Sequence, residues 1–301
     1  MVFDRIFTHA ETEEEFRRKG YIVRPLLSAD EINAVQQVHD SVTPPMTGDI
    51  FSTPLSHDYE YRSCVLDGIR PIVQQKLKSI LPYHKLAMVV LITKKPATTA
   101  GKLPIHQDWW ITDNNRRRAV HVWCPLVDVD AQSACLKVVA ASHRLLNNPY
   151  PVHPKYRTEY HSSRDLLDAM ATSIPMTGGW AVVYDQRLLH GSGENLSNRT
   201  RVAFNCIMVP EDAKPLLYCW DGKSETRLDI VEVNEDYLCR FKYGEPIKES
   251  YSGDVRYLKS IDVKVKPLEC DDISLLGKLE VEMMDFEPAV RGADGSPHGQ
   301  L

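Results

Sequence analysis

No apolar run in this 301-residue chain approaches the ~20 residues a spanning helix needs; stretches such as Leu86–Ile92 are far too short. That excludes a helical membrane protein. Cysteine is sparse and unpatterned: seven residues, an odd number, with no CxxC pair. That excludes a disulfide framework and a zinc knuckle, and points to a reducing compartment, the cytoplasm. Lys and Arg never form a block, and the formal charge is -5. A nucleic-acid footprint is therefore missing. The N-terminus shows no basic segment followed by an apolar run, so no secretory signal is read there. The ending His298-Gly299-Gln300-Leu301 is a poor match to an SKL-type peroxisomal address.

What remains is 43% hydrophobic and long enough for one sizeable core. Residues 12 to 19 read as a short helix, with Thr12 and Glu15 as a capping box and Gly20 as its stop. Tyr21–Val23 reads as a strand. Ser28 and Glu31 cap a second helix, and Pro44-Pro45 ends that pattern. A third helix is predicted over Val65–Leu81, with Pro71 near its start or at a kink. From Leu86 short strands recur at Ala87–Thr93, Ala119–Pro125, Cys135–Val139, Trp180–Tyr184 and Arg201–Val209. An inserted helix is read at Ser163–Ala171. Short strands separated by turns predict a sandwich or barrel.

Three elements carry chemistry. His106-Gln107-Asp108 is the only HxD in the chain, and in extended backbone residues i and i+2 point to one side. His190 is read as ending an apolar strand at the glycine-rich turn Gly191-Ser192-Gly193. Two imidazoles and a carboxylate cap one face of an octahedral Fe(II) and leave three positions open, enough for a bidentate 2-oxo acid and O₂. Arg201 lies eleven residues beyond His190 (201 − 190 = 11), across a turn that lets the two sit on neighbouring strands. Its guanidinium suits the distal carboxylate of 2-oxoglutarate, with Ser192 as a second donor; Arg199 competes for that role. On the same strand Ala203 and Asn205 share the Arg201 face, while Val202, Phe204 and Cys206 face away. For substrate contact the candidates are Trp109 or Trp110, Asn205 and Tyr184. Tyr184 is six residues before His190 on the strand leading to it, hence of inward parity (190 − 184 = 6). Trp123 and Trp180 are read as core, Lys94 and Lys95 as solvated strand-end charges, and His143 as a hydrogen-bonded structural residue.

These blocks resemble the phytanoyl-CoA dioxygenase family of Fe(II)/2-oxoglutarate oxygenases. The resemblance rests on Gly20–Val23 with Leu27–Ile32, on His106–Asp108 with Val122–Asp130 and Ala141–Arg144, and on Gly178–Val209. It covers roughly residues 14 to 210. It implies a mainly β fold with flanking helices, a double-stranded β-helix (jelly roll, cupin-like). It also implies iron ligands at His106, Asp108 and His190, and a 2-oxoglutarate anchor at Arg201 rather than Arg199. The expected organisation is a single domain over 1–287, with an unmatched extension at 211–287 that covers the active-site mouth or forms a homodimer contact, and a disordered tail at 288–301. The family's glycine before Leu-x-x-x-Pro-Gly-Ser-His is replaced around Ala134-Cys135, its Pro-Gly by Ala140-Ala141, and its acidic residue after Gly178-Gly179 by Trp180. Halogenating relatives replace the carboxylate with a small residue, so Asp108 points to hydroxylation of a small molecule, or to desaturation or ring formation by the same chemistry. The alternative from the residues alone is a cupin-like metal protein of another reaction class.

Overall fold

The computed structural model describes residues 5–42, 48–153, 155–220, 222–224, 226–240 and 254–284. The readings placed on Pro44-Pro45 and on the tail from Pro288 lie outside these. The chain begins with α1 (Ala10–Lys19), β1 (Tyr21–Pro25), α2 (Ala29–Ser41), β2 (Ile50–Ser52) and α3 (Tyr59–Ile80). The barrel strands β3 (His84–Lys94), β4 (Leu103–His106), β5 (Val120–Pro125) and β6 (Leu136–Val138) follow, then α4 (Arg164–Met170). Next come β7 (Thr172–Ile174), β8 (Trp180–Asp185), β9 (His190–Ser192) and β10 (Arg201–Pro210). An extension of β11 (Leu216–Trp220), β12 (Arg227–Val233), α5 (Glu235–Arg240), β13 (Val255–Asp262) and α6 (Cys270–Met284) ends the described chain.

Two antiparallel sheets face each other as a jelly roll. The larger has the order β1-β8-β5-β10-β3-β2 and the smaller β4-β9-β6-β7. Strand parity divides the larger sheet cleanly. Val202, Phe204 and Cys206 pack outward with Val120, Val122 and Cys124 against Phe16, Val35, Val65 and Ile69 of the helical layer. Ala203, Trp123 and Val182 face inward and meet Leu136 and Val138 of the smaller sheet.

The helices differ from the sequence reading at their starts. α1 begins at Ala10 and its N-cap is His9 with no side-chain cap bond, so the Thr12–Glu15 box does not form. Glu13 instead turns back to accept from the Ile6 and Phe7 amides at 2.9 Å each, which ties the preceding chain to the first turn. Gly20 does stop α1, at φ 82°. A side chain there would strike His143, whose ring nitrogen lies 2.4 Å from the position of a Cβ. His143 is buried and bonds the Arg17 carbonyl, the structural role read for it. The Ser28–Glu31 capping box forms in full. α3 starts at Tyr59, capped by Asp58, which places Pro71 inside the helix rather than near its start.

The extension prolongs the core. Leu217, Val231 and Val233 pack with Ala87, Met88, Ile207 and Val209 at the far ends of β3 and β10. Backbone bonds from Leu216 to Ile111 (2.8 Å) and from Val152 to Tyr218 (3.1 Å) fasten it to segments that flank the barrel interior.

Candidate functional site

β4 and β9 are neighbours in the smaller sheet, and their register sets His106 directly opposite His190. Glycine at 191 makes this pairing possible: a Cβ there would sit 2.6 Å from the Leu103 carbonyl oxygen. The two rings lie with centroids 4.4 Å apart. Each is oriented by the carbonyl two residues before it, His106 Nδ1 to Pro104 O at 2.8 Å and His190 Nδ1 to Leu188 O at 2.9 Å. A carbonyl only accepts, so both Nδ1 atoms carry the proton and both Nε2 atoms present lone pairs to a common point.

Asp108 completes the group. Its Oδ1 lies 3.9 Å from His106 Nε2 and its Oδ2 3.5 Å from His190 Nε2. One ligand atom from each of the three falls within 4.8 Å of the other two. Burial lowers the His190 pKa to about 4, which keeps the imidazole neutral and able to coordinate. Burial works against the Asp108 charge, but the surrounding imidazoles of His121, His190 and His106 outweigh it and hold the carboxyl well below its ordinary range. A neutral–neutral–anionic donor set of this kind fits a divalent iron with half its coordination sphere open.

His190 opens β9 and does not end the strand before it. β8 stops at Asp185, and a turn, closed by a 2.8 Å bond from Leu188 N to Asp185 O, separates the two. Parity counted from His190 therefore has no force for Tyr184. Tyr184 nonetheless faces the group, with its hydroxyl 3.1 Å from Asp108 Oδ2. Nor are His190 and Arg201 on neighbouring strands: β9 pairs with β4 and β6, β10 with β3 and β5, so they face each other across the barrel.

The three candidate ligands open into a cavity of about 330 Å³ between the sheets. Arg201, Ser192, Asn205, Tyr184 and Trp109 line it, whereas Trp110 is wholly buried beside Tyr218 in the extension's core. Most of the remaining wall is apolar, from Ile50, Pro54, Val90, Ile92, Leu103 and Ile207, with Ser52, Gln107 and His121 as polar exceptions. Arg201 stacks over Trp123, 5.6 Å from its ring, so Trp123 is buried but belongs to the cavity wall. Trp180 is not core: it begins β8 beside the Gly178-Gly179 turn, at the sheet's end, and is 43% exposed. Arg199 is exposed on the loop.

Lys94 departs furthest from the sequence reading. It is completely buried. It pairs in register with Arg201, so it points into the barrel, and its ammonium donates to Ser192 Oγ at 2.8 Å and the Gly193 carbonyl at 2.6 Å. Burial, with the nearby Arg201 charge adding to it and the Glu194 carboxylate partly opposing it, lowers its pKa to about 7. Burial likewise lowers Arg201 to about 10, and its Nε and Nη1 are enclosed with no hydrogen-bond partner. Among the described residues neither cation forms an ion pair with a carboxylate. An enclosed Arg201 with two free donors on the cavity wall, backed by Lys94, fits an anionic ligand. Lys95 is half-buried. Asn195 holds this corner in shape, donating to the Lys95 and Arg199 carbonyls at 3.0 and 2.8 Å.

His121 and Gln186 were missed altogether. His121 stands on β5 at the inward parity shared with Trp123, 2.9 Å from Asp108 Oδ2. A polar residue at an inward position of the otherwise apolar Val120–Pro125 was the available signal.

The model of the family described as phytanoyl-CoA dioxygenase (PhyH) matches residues 16–203. The peroxisomal phytanoyl-CoA dioxygenase of Rattus norvegicus is 23% identical over 184 residues, 58% of this chain and 53% of that protein. A probable phytanoyl-CoA dioxygenase of Caenorhabditis elegans is 24% identical over 204 residues, 64% and 63% of the two chains. The chain thus spans between half and two thirds of the length of these curated relatives. Two solved structures share the fold at a TM-score of 0.50. HygX from Streptomyces hygroscopicus, with nickel, 2-oxoglutarate and hygromycin B bound, is 13% identical and aligns over 68% of this chain and 88% of its own. The non-heme alpha ketoglutarate dependent carbocyclase SnoK from nogalamycin biosynthesis is 18% identical, over 83% and 96%. With the family model covering well over half of its residues, this chain belongs to the phytanoyl-CoA dioxygenase (PhyH) family.

Proposed function

We propose that the protein is an Fe(II)- and 2-oxoglutarate-dependent oxygenase that oxidises a C–H bond of a small molecule, with hydroxylation as its outcome. The observation that carries this reading is one cavity lined by both a convergent His106–Asp108–His190 set and Arg201, a buried cation with two unpartnered donors. Iron held by the three ligands would supply the coupling of 2-oxoglutarate decarboxylation by O₂ to oxidation of the bound substrate. The chain's own contribution is positional. The Pro104 and Leu188 carbonyls aim the two imidazoles. Arg201 offers its two unpartnered donors to the distal carboxylate, and Lys94, held by Ser192, adds a second positive charge behind it.

The substrate reading follows from the remaining walls. Beyond Asp108 and Arg201 the lining carries no acidic, lysine or arginine side chain, and most of it is apolar. An uncharged, largely apolar portion of the substrate, flanked by Trp109, Trp123 and Ile207, fits this space. We further propose that 1–287 acts as one unit in which the extension buttresses the cavity. The extension's Tyr218 carbonyl accepts from Val152 at 3.1 Å, beside the lining residues Tyr150 and Pro151. A cytoplasmic setting is supported by seven free thiols. No helix among the described residues is long and apolar enough to cross a membrane.

The test is succinate release from 2-oxoglutarate by the purified chain. Release should require both Fe(II) and O₂ and should vanish in Asp108→Ala. Release that persists without iron, or in that variant, contradicts the proposal.

A further inference from the structure

We propose that His121 is a positioning residue for the metal-binding carboxylate: its ring is locked by Gln186 into the one tautomer that donates to Asp108. The proposal rests on the reading of His106, Asp108 and His190 as iron ligands and concerns a residue outside that set.

The lock can be traced atom by atom. Gln186 is fully buried. Its Oε1 accepts from the Ile111 amide at 3.3 Å and from Asn114 Nδ2 at 2.7 Å, and its Nε2 donates to the Trp109 carbonyl at 2.6 Å. The backbone of 109–111 therefore fixes which end of the amide is which. The second Nε2 hydrogen faces His121 Nε2 at 3.3 Å. An amide nitrogen only donates, so His121 Nε2 accepts and the ring proton sits on Nδ1. That proton points to Asp108 Oδ2, 2.9 Å away. Tyr184 donates to the same oxygen at 3.1 Å and itself accepts from Asn205 Nδ2 at 3.1 Å. Asn205 Nδ2 also lies 3.1 Å from His121 Nδ1. For this tautomer that is a donor–donor contact and not a hydrogen bond: Asn205 Nδ2 donates to Tyr184 and His121 Nδ1 to Asp108.

Two donors on Oδ2 hold the carboxylate against rotation about its Cβ–Cγ bond and favour its ionised form. The clamp also closes on itself. Asp108 is followed directly by the 109–111 backbone that orients Gln186, so the chain that carries the ligand sets the direction of the hydrogen bond that aims it. Outer partners of this kind tune metal affinity by roughly 10–100-fold.

The test is Fe(II) affinity of the full chain, measured anaerobically by competition with a chromogenic chelator, beside the melting temperature of the metal-free protein. His121→Phe keeps the ring and removes the donor; it should bind Fe(II) roughly 10–100-fold more weakly while still melting cooperatively. His121→Asn places an amide nitrogen near the position of Nδ1 and should recover most of that loss. His121→Leu serves as the donor-free variant if His121→Phe does not fold. Donor-free variants that bind Fe(II) as tightly as the parent, or a His121→Asn that loses as much as they do, overturn the proposal. A parent chain with no Fe(II) affinity at all is a different failure: it removes the ligand assignment itself, and the inference with it.

Discussion

Among the described residues, two buried groups of charge in this barrel are built on opposite principles. In the first, Asp185 and Arg187 at the end of β8 satisfy each other. Arg187 Nε and Nη2 reach the two carboxylate oxygens at 3.0 Å each, and a backbone amide adds a third donor at 2.9 Å. Burial opposes the Asp185 charge, but Arg187 prevails and holds the carboxyl at about 2. In the second, Arg201 and Lys94 are equally enclosed and share no carboxylate; hydroxyl and carbonyl oxygens of the 192–193 turn hold Lys94, and two Arg201 nitrogens hold nothing. The first cluster is finished by folding. The second leaves donors free after folding, and its Arg201 opens on the cavity that contains the candidate metal ligands. Buried charge alone is thus a poor marker of function; buried charge without a counter-ion is a good one.

Substitutions that separate fold from ligand sharpen this contrast. Asp185→Asn leaves Arg187 buried and unpaired. It should cost about 3–5 kcal/mol of stability in denaturant titration while leaving 2-oxoglutarate affinity of the folded fraction unchanged. Arg201→Leu should do the reverse. Affinity for 2-oxoglutarate, measured by calorimetry with Fe(II) under argon, should fall by about 2–5 kcal/mol, while the ligand-free protein melts no lower than the parent. Equal loss of stability in both variants would erase the distinction.

Lys94 adds a pH signature. Its folded-state pKa, about 7, lies below the ordinary lysine value of 10.5, so the unfolded chain holds the extra proton between these limits. Stability of the ligand-free protein should therefore rise with pH from about 7 to about 10.5, by up to a few kcal/mol, and Lys94→Met should flatten the rise. Saturating 2-oxoglutarate should flatten it too. The smallest effect concerns backbone. Ala134 and Ala141 take φ of 59° and 62°, in the left-handed region, where the resemblance places family glycines. Ala141→Gly should raise stability by about 0.5–1 kcal/mol in the same titration, with no change in ligand binding.

Much of the fold was legible because its signals are local. Alternation along Arg201–Pro210 separates Phe204 and Cys206, packed on the helices, from Asn205 in the cavity. Ser28 and Glu31 announce a helix start, and Gly20 a helix end. The signals fail where partners are distant. β4 and β9 are only four and three residues long, too short for periodicity, and their pairing depends on a glycine that lets two backbones meet. Lys94 has inward parity, but charge argues for solvent; Arg201 and Ser192, far along the chain, decide the matter. His121 and Gln186 acquire meaning only once Asp108 lies between β5 and β9. The extension from 211 carries no motif, and its packing on β3 and β10 is visible only in three dimensions.

The most direct measurement is anaerobic titration of the purified chain with Fe(II) and then 2-oxoglutarate, followed in the visible region. A ferrous ion held by His106, Asp108 and His190 and chelated by the 2-oxo acid gives a weak charge-transfer band in the green. This band should appear, saturate at one equivalent of iron, and need far more 2-oxoglutarate in Arg201→Leu. A flat spectrum at saturating iron and 2-oxoglutarate, or a band indifferent to Arg201, would contradict the proposed function.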